Sequence, residues 1–344
     1  MELALYCPDC GYYEREKDTA GKRGDFFTSV SVGSLFGELL AFQFAEWLEE
    51  SRGAGGGLHI IEGAAHDGRL AHDILSWMRR QRPQLFQRLA YLILEPSPRR
   101  QAWQQEALKE SGSQVRWCTE AGEAGNQGGF RVIFCNELLD AMPVQRVGWD
   151  ARRREWFNWG VTMDNGRFAW TRLHALKPDP DFAAVAAPAL LEQLPDGFTM
   201  EVSTAALRWW MDAARLLKRG KLLTLDYGLD TGELILPERQ RGTLRAYHRH
   251  LPVEDVLANP GEQDITAHVS FTAIQRAGEK AGLRTVALLS QSQFLTDIAR
   301  RAWQDDSRFG DWTPSHTRQF QTLTHPEHLG RAFRVLIQEP RVAD

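Results

Sequence analysis

The sequence predicts an α/β fold: a Rossmann-like, mostly parallel sheet with helices on both faces, joined to an N-terminal helical segment and an antiparallel β insertion. Three observations carry this. Leu58-His-Ile-Ile-Glu-Gly-Ala-Ala-His-Asp-Gly68 is an apolar run that ends in an acid, passes a small-residue turn and enters a helix. That is how a parallel sheet presents the end of its first strand to a nucleotide-like ligand. Tyr91-Leu-Ile-Leu-Glu95 repeats the pattern one unit later. Beyond both, short apolar runs bounded by turn residues alternate with helical periodicity, as strands buried on both faces require.

Residues 1–57 hold a polar loop, Gly21-Lys-Arg-Gly-Asp-Phe-Phe-Thr28, and then a helix in which Leu35, Leu39, Phe42, Ala45 and Leu48 recur at three- and four-residue spacing. Gly53-Ala-Gly-Gly-Gly57 breaks the chain before the first half of the core, residues 58–143. This half reads as strand 58–64, helix 69–81, strand 88–95, helix 97–111, strand 115–119 and strand 131–136. Residues 144–203 read as an antiparallel insertion: two strand-like runs, Glu155–Thr162 and Arg167–Leu173, flank Met163-Asp-Asn-Gly166, a hairpin signal. The second half, 204–344, reads as helix 204–218, strand 221–226, helix 270–281, strand 284–290, helix 293–304 and strand 333–339. Within it, 229–269 is rich in Gly, Pro, His and Arg and too long for a passive connection, which suggests a lid.

The bulk numbers exclude several classes. The chain has 344 residues, 43% hydrophobic and 25% charged, with a net charge of −4. These are values of a globular protein, without the basic field that nucleic-acid binding needs. No apolar run approaches the ~20 residues that span a bilayer, and Met1 leads almost directly into Tyr6-Cys-Pro-Asp-Cys10 with no targeting segment. Neither nucleic acid nor membrane is an expected partner, and the expected location is cytoplasmic. A reducing compartment suits the four cysteines. Cys118 and Cys135 fall in expected buried strands, and Cys7-Pro-Asp-Cys10 has the spacing of half a zinc knuckle. No second Cys or His pair stands at matching spacing, so no metal is expected.

The turn after Glu62 lacks the G-x-G-x-x-G of a dinucleotide site, and Glu95 lies further on than the roughly 20 residues that fingerprint wants. No P-loop lysine is present either. A ligand with ribose, base, an amino-acid tail and a cationic centre but no phosphates fits two strand-end acids better, and S-adenosylmethionine is such a ligand. Glu95 could then accept from the ribose hydroxyls, Glu62 could order the turn or face the amino-acid end, and Gly68 joins them on the cofactor side. A second cluster, Asn136-Glu-Leu-Leu-Asp-Ala-Met-Pro143, follows the fourth strand. Carboxylates there could hold an arginine guanidinium, which keeps its charge and offers five donors in a fixed fork. The blander alternative makes Asn136 and Asp140 caps of a helical turn at 137–141. Leu225-Asp-Tyr-Gly228 is a third strand ending in an acid. His248 and His250 read as part of a basic solvated loop.

These residues, in this order, resemble the MidA-like S-adenosylmethionine-dependent methyltransferases, a family that includes a mitochondrial complex I assembly factor. The matching pieces are Cys10-Gly-Tyr-Tyr13, Gly24-Asp-Phe-Phe-Thr28, Leu35-Phe-Gly-Glu38, Asn136 to Val144, Asp226-Tyr-Gly228, Gly242 to Tyr247, Asp264 to Val269 and Phe333-Arg-Val-Leu336. The resemblance implies a class I methyltransferase fold and S-adenosylmethionine as cofactor. Through the mitochondrial member it also implies methylation of an arginine on a protein partner. The cofactor residues expected are Glu62, Gly68, Glu95 and Asn136, and the acceptor side is Asp25, Asn136 and Glu137. A homodimer is one option for the assembly.

The resemblance also brings three departures. The family's turn is typically Glu-Leu-Gly-Pro-Gly-Arg-Gly, and here Ala64 and His66 stand where glycines are usual. The family follows its Gly-Asp-Phe-x-Thr element with a Pro-Glu pair, where this chain has Val30-Ser31. The family also places a helix ahead of the segment that starts here at Met1. The altered turn motivates a second reading, a methyltransferase-fold assembly partner with weak catalysis or none. A nicotinamide oxidoreductase is disfavoured by the missing glycines.

Overall fold

The computed structural model describes residues 1–15, 28–51, 57–124, 129–175, 193–248, 251–304 and 306–341. They divide into two compact units. One comprises residues up to Leu138 from position 16, Met211–Asp226 and the chain from Gly278 onward; the other comprises Met1–Arg15, Leu139–Trp210 and Tyr227–Ala277.

The first unit carries the main sheet. Its strands are β1 (Gly57–Gly63), β2 (Leu89–Leu94), β3 (Val115–Cys118), β4 (Gly129–Asn136), β9 (Gly220–Leu229), β14 (Leu283–Ser290) and β15 (Phe333–Pro340). Their spatial order is β14-β15-β9-β4-β1-β2-β3. β1 pairs in parallel with β2 and β4, β2 with β3, and β4 with β9, whereas β14 and β15 are antiparallel. Chain order therefore reverses between β1 and β4, which puts a ligand crevice at the carboxyl ends of the central strands. These strands hold almost unbroken apolar runs because helices cover their faces: Ile60, Ile61, Ile93, Val132, Ile133 and Phe134 are all buried.

The helices follow from local signals. Helix Arg69–Gln81 starts at Gly68, which takes φ 83°, and buries Leu70, Ile74, Leu75, Trp77 and Met78. Helix Leu35–Glu50 packs so closely on it that a Cβ on Gly37 would lie 2.6 Å from that of Asp73. Helix Pro98–Ala107 begins on Ser97, whose hydroxyl accepts from Arg100 N, with Pro98 in its first turn. It is shorter than the sequence suggests, because a 3-10 segment with Gly112 at φ 64° replaces its last turn. Thr28 and Ser31 form a reciprocal capping box at helix Ser29–Val32. Ser31 thus fills the position that Glu takes in a capping box, and this accounts locally for the serine where the family has an acid.

The second unit contains the antiparallel insertion: β5 (Gln145–Asp150), β6 (Glu155–Asp164), β7 (Arg167–Ala175) and β8 (Thr199–Val202), in order β7-β6-β5-β8. Asp164 faces Arg167 across the two-residue turn Asn165-Gly166, both at positive φ, the hairpin that the Asp-Asn-Gly signal anticipates. Within 229–269, β10 (Arg245–His248) lies between β11 (Leu251–Val253) and β12 (Asp264–Thr266) in a further sheet, and β13 (Val269–Ser270) then pairs in parallel with the end of β9. No helix among the described residues is long and apolar enough to cross a membrane.

Phe134 sits in the middle of β4, fully buried, with its ring centroid 5.0 Å from that of Phe44. Phe134→Ala should lower stability by about 3–5 kcal/mol in urea unfolding; a loss below about 1 kcal/mol would mean that the helix–sheet contact is looser than described.

Candidate active site

Four neighbouring strands end in polar groups. Parallel register aligns Gly63 with Leu94 on one side and with Cys135 on the other. Glu62, Glu95 and Asn136-Glu137 therefore emerge at one edge of the sheet. β9 contributes Asp226, whose carboxylate accepts from Leu138 N at 3.2 Å, while Glu137 N donates to Leu225 O.

Glu62 is 3% exposed. The Tyr91 hydroxyl donates to its Oε2 at 2.7 Å. Burial pushes the Glu62 carboxyl up to about 8; Asp67 and Glu95 add to the rise and the Tyr91 hydrogen bond opposes it. Glu95, 1% exposed, is held on both oxygens. Ser97 N donates to Oε1 at 3.1 Å, Gln104 Nε2 donates to Oε2 at 3.0 Å, and Arg100 lies 4.0 Å from Oε2. These contacts orient the Glu95 carboxylate at the strand end. Gln104 does more than hold Glu95. Its Nε2 also donates to His66 O at 3.1 Å and its Oε1 accepts from Trp117, so one buried amide ties the turn after β1 to the acid after β2.

The turn itself answers the question raised by its missing glycines. Ala64 takes φ 54°, His66 φ 47° and Gly68 φ 83°. The turn keeps left-handed backbone where the family has glycine, at about 1 kcal/mol or more for each of the two L-residues. Ala64 N donates to Leu94 O and Gly68 N to Ala65 O, which fixes the path. At Gly68 a Cβ would also meet the Gln104 backbone at 3.3 Å.

At this edge of the sheet Glu137 joins Ala64 and His66 in the left-handed region, at φ 50°. Its Oε1 accepts from Asn136 Nδ2 at 3.1 Å and from Ser29 N at 3.3 Å. Asn136 Oδ1 is buried with no hydrogen-bond partner among the described residues. The chain passes into the other unit after Leu138, and 137–141 forms bends and a turn rather than a helix. The helical-turn alternative for Asn136 and Asp140 therefore does not hold; Asp140 instead offers its backbone carbonyl to Ala267 N. Asp25 lies outside the described residues.

Several residues at this edge escape sequence reasoning. Tyr91 and Gln104 read there as an ordinary strand aromatic and a polar helix residue; only their complete burial marks them. Other quoted motifs serve packing. Glu38 pairs with Arg80 and His316, Tyr13 donates to Asp264 at 2.6 Å, and Thr243 donates to Glu201 through both N and Oγ1. His248 ends strand β10 rather than lying in a loop and shares a hydrogen bond with Glu262 O at the surface, while His250 lies outside the described residues.

The residues present fit S-adenosylmethionine: two buried acids at adjacent strand ends, a left-handed turn, and an amide oxygen without a partner among the described residues. The strand order and this edge define a class I S-adenosylmethionine-dependent methyltransferase. Residues 39–289 match the model of a family of S-adenosyl-L-methionine-dependent methyltransferases, and the chain belongs to that family, the MidA-like methyltransferases. A protein from Burkholderia thailandensis solved bound to S-adenosyl-homocysteine is 27% identical; the match covers all of this chain and 87% of that one, with a TM-score of 0.81. The mitochondrial protein arginine methyltransferase NDUFAF7 homolog of Drosophila melanogaster is 24% identical over 99% of this chain and 80% of its own length. NDUFAF7 of Danio rerio is 25% identical over 97% of this chain and 81% of its own length. The cofactor is S-adenosylmethionine.

The raised Glu62 carboxyl has a pH signature. The folded chain keeps a proton that the unfolded chain has lost between 4.5 and about 8. That contribution to stability is full below 4.5, declines as pH rises through the window and is gone above it. Glu62→Gln, which keeps the shape and removes the titration, should flatten this decline in urea unfolding measured across the window. An unchanged slope would assign the decline to other groups.

Proposed function

We propose that the protein transfers a methyl group from S-adenosylmethionine to an arginine side chain of a protein partner. The observation that carries the acceptor side is Glu137, a carboxylate fixed by two donors on a strained backbone at the same edge as the cofactor acids. Support also comes from the relatives named protein arginine methyltransferases, which align along nearly the whole chain.

Glu95 would accept from the ribose hydroxyls, and Asn136 Oδ1 with the Glu62–Gly68 turn would receive the amino-acid end. When bound, the cofactor supplies a methyl group on a cationic sulfur. The protein's part is positioning and electrostatics: Glu137 and Asn136 would hold the guanidinium in line for attack and offset its charge. The reading as a non-catalytic assembly partner rests on Ala64 and His66. The left-handed path kept at both residues supports the catalytic reading instead.

The test is incubation of the protein and a cell lysate with methyl-labelled cofactor, followed by acid hydrolysis and amino-acid analysis. Label in methylated arginine above the level of lysate alone is expected; label in methylated lysine, or label lost as methanol from carboxyl esters on hydrolysis, would overturn the acceptor assignment. In parallel, Glu95→Ala should weaken cofactor binding in calorimetry by about 1–3 kcal/mol through lost charged hydrogen bonds, with thermal unfolding checking that the turn survives. Unchanged affinity would move the ribose elsewhere.

A further inference from the structure

Apart from the methyl-transfer edge, the chain carries a second pair of reactive groups. Cys7 follows the short helix Glu2–Tyr6 as its C-cap, and Cys10 lies three residues on. The turn between them is tight. Cys7 O accepts from both Cys10 N and Gly11 N, at 3.3 and 2.7 Å. A Cβ on Gly11 would lie 2.5 Å from Cys7 N, so the turn closes only over glycine. Both thiols are reduced and reach the surface, with Cys10 exposed and Cys7 half-buried. The Cys10 thiol donates to Cys7 Sγ at 3.2 Å, a separation that a small rotation of both side chains closes to the ~2.05 Å of a disulfide.

The two sulfurs are not equivalent. The Cys10 thiol and the backbone N–H groups of Asp9 and Cys10 lower the Cys7 pKa, the thiol contributing most. Sharing its hydrogen with Cys7 raises that of Cys10. A thiol with more thiolate character attacks first, and its partner resolves. The other cysteines are buried, and the Cys135 thiol is bonded to Thr224. Neighbours on either side anchor the turn: Tyr6 donates to Ala141 O at 2.9 Å and Tyr13 to Asp264.

We infer that Cys7 and Cys10 form a reversible thiol–disulfide site whose co-reactant is a low-molecular-mass disulfide such as oxidised glutathione. The Cys7 thiolate attacks one sulfur of the co-reactant, forming a mixed disulfide and releasing one thiolate. Cys10 gives up its proton and attacks Cys7 Sγ, forming the Cys7–Cys10 bond and releasing the second thiolate. Two protein thiols are oxidised by two electrons, and the co-reactant leaves as two thiols that carry the two protons.

The experiment exposes the folded chain to graded ratios of oxidised to reduced glutathione, caps remaining thiols with N-ethylmaleimide and reads intact and peptide masses. Cys7 and Cys10 should lose capping together in one two-electron step, within one chain, and dithiothreitol should restore it. Cys118 and Cys135 are the internal reference. Cys10→Ser should accumulate glutathione on Cys7 faster than Cys7→Ser accumulates it on Cys10. Capping of both cysteines at every ratio, a disulfide only between chains, or equal rates in the two variants would overturn the proposal. The wild-type arm stands whether or not the variants fold.

Discussion

Acidic side chains crowd the carboxyl edge of one parallel sheet, and much of the rest of the first unit can be understood as managing them. Glu137, Glu62 and Glu95 stand at the ends of β4, β1 and β2, and Asp226 lies level with them on β9; the order of the strands is β9, β4, β1, β2. Like charges in a buried place repel and shift each other's ionisation. The fold gives each acid its own partner: Leu138 N for Asp226, Asn136 and Ser29 for Glu137, Tyr91 for Glu62, and Ser97 with Gln104 for Glu95. A bound cation with hydroxyls would relieve what repulsion remains, which is why such an edge suits a sulfonium cofactor.

The backbone is strained in the same place. Ala64, His66 and Glu137 take left-handed conformations that cost an L-residue, and all three lie at the carboxyl edge of the sheet. Strain of this kind persists when surrounding contacts over-determine it. Gln104, which is fully buried, supplies such a contact by holding the His66 carbonyl and the Glu95 carboxylate with one amide. The departure from the family's glycine turn is thus absorbed in the backbone, and the turn's direction is kept.

The core was legible in the sequence where one signal dominated. Apolar runs closed by an acid marked β1 and β2, and the Asp-Asn-Gly turn marked the β6–β7 hairpin. Helix Pro314–Thr324 was not legible, because only Phe320 and Leu323 give it an apolar face; its readable cue was Thr313 followed by Pro314 at the cap. Of the site, Glu62, Gly68, Glu95, Asn136 and Glu137 could be singled out as strand-end or turn residues. Tyr91 and Gln104 could not, since their roles depend on contacts 29 and 38 residues away along the chain. Positive φ at Ala64 and His66 also ran against local preference, and local rules fail most often at functional sites.

The central claim is that the buried acids and the left-handed turn together form the cofactor site. A crystal structure of the protein with S-adenosylhomocysteine tests it most directly. The account predicts ribose hydroxyls on Glu95 and the amino-acid end against the Glu62–Gly68 turn, with a donor on Asn136 Oδ1 and left-handed backbone retained at Ala64 and His66. A ligand bound away from Glu95, or a turn that abandons the left-handed path to admit it, would contradict the account.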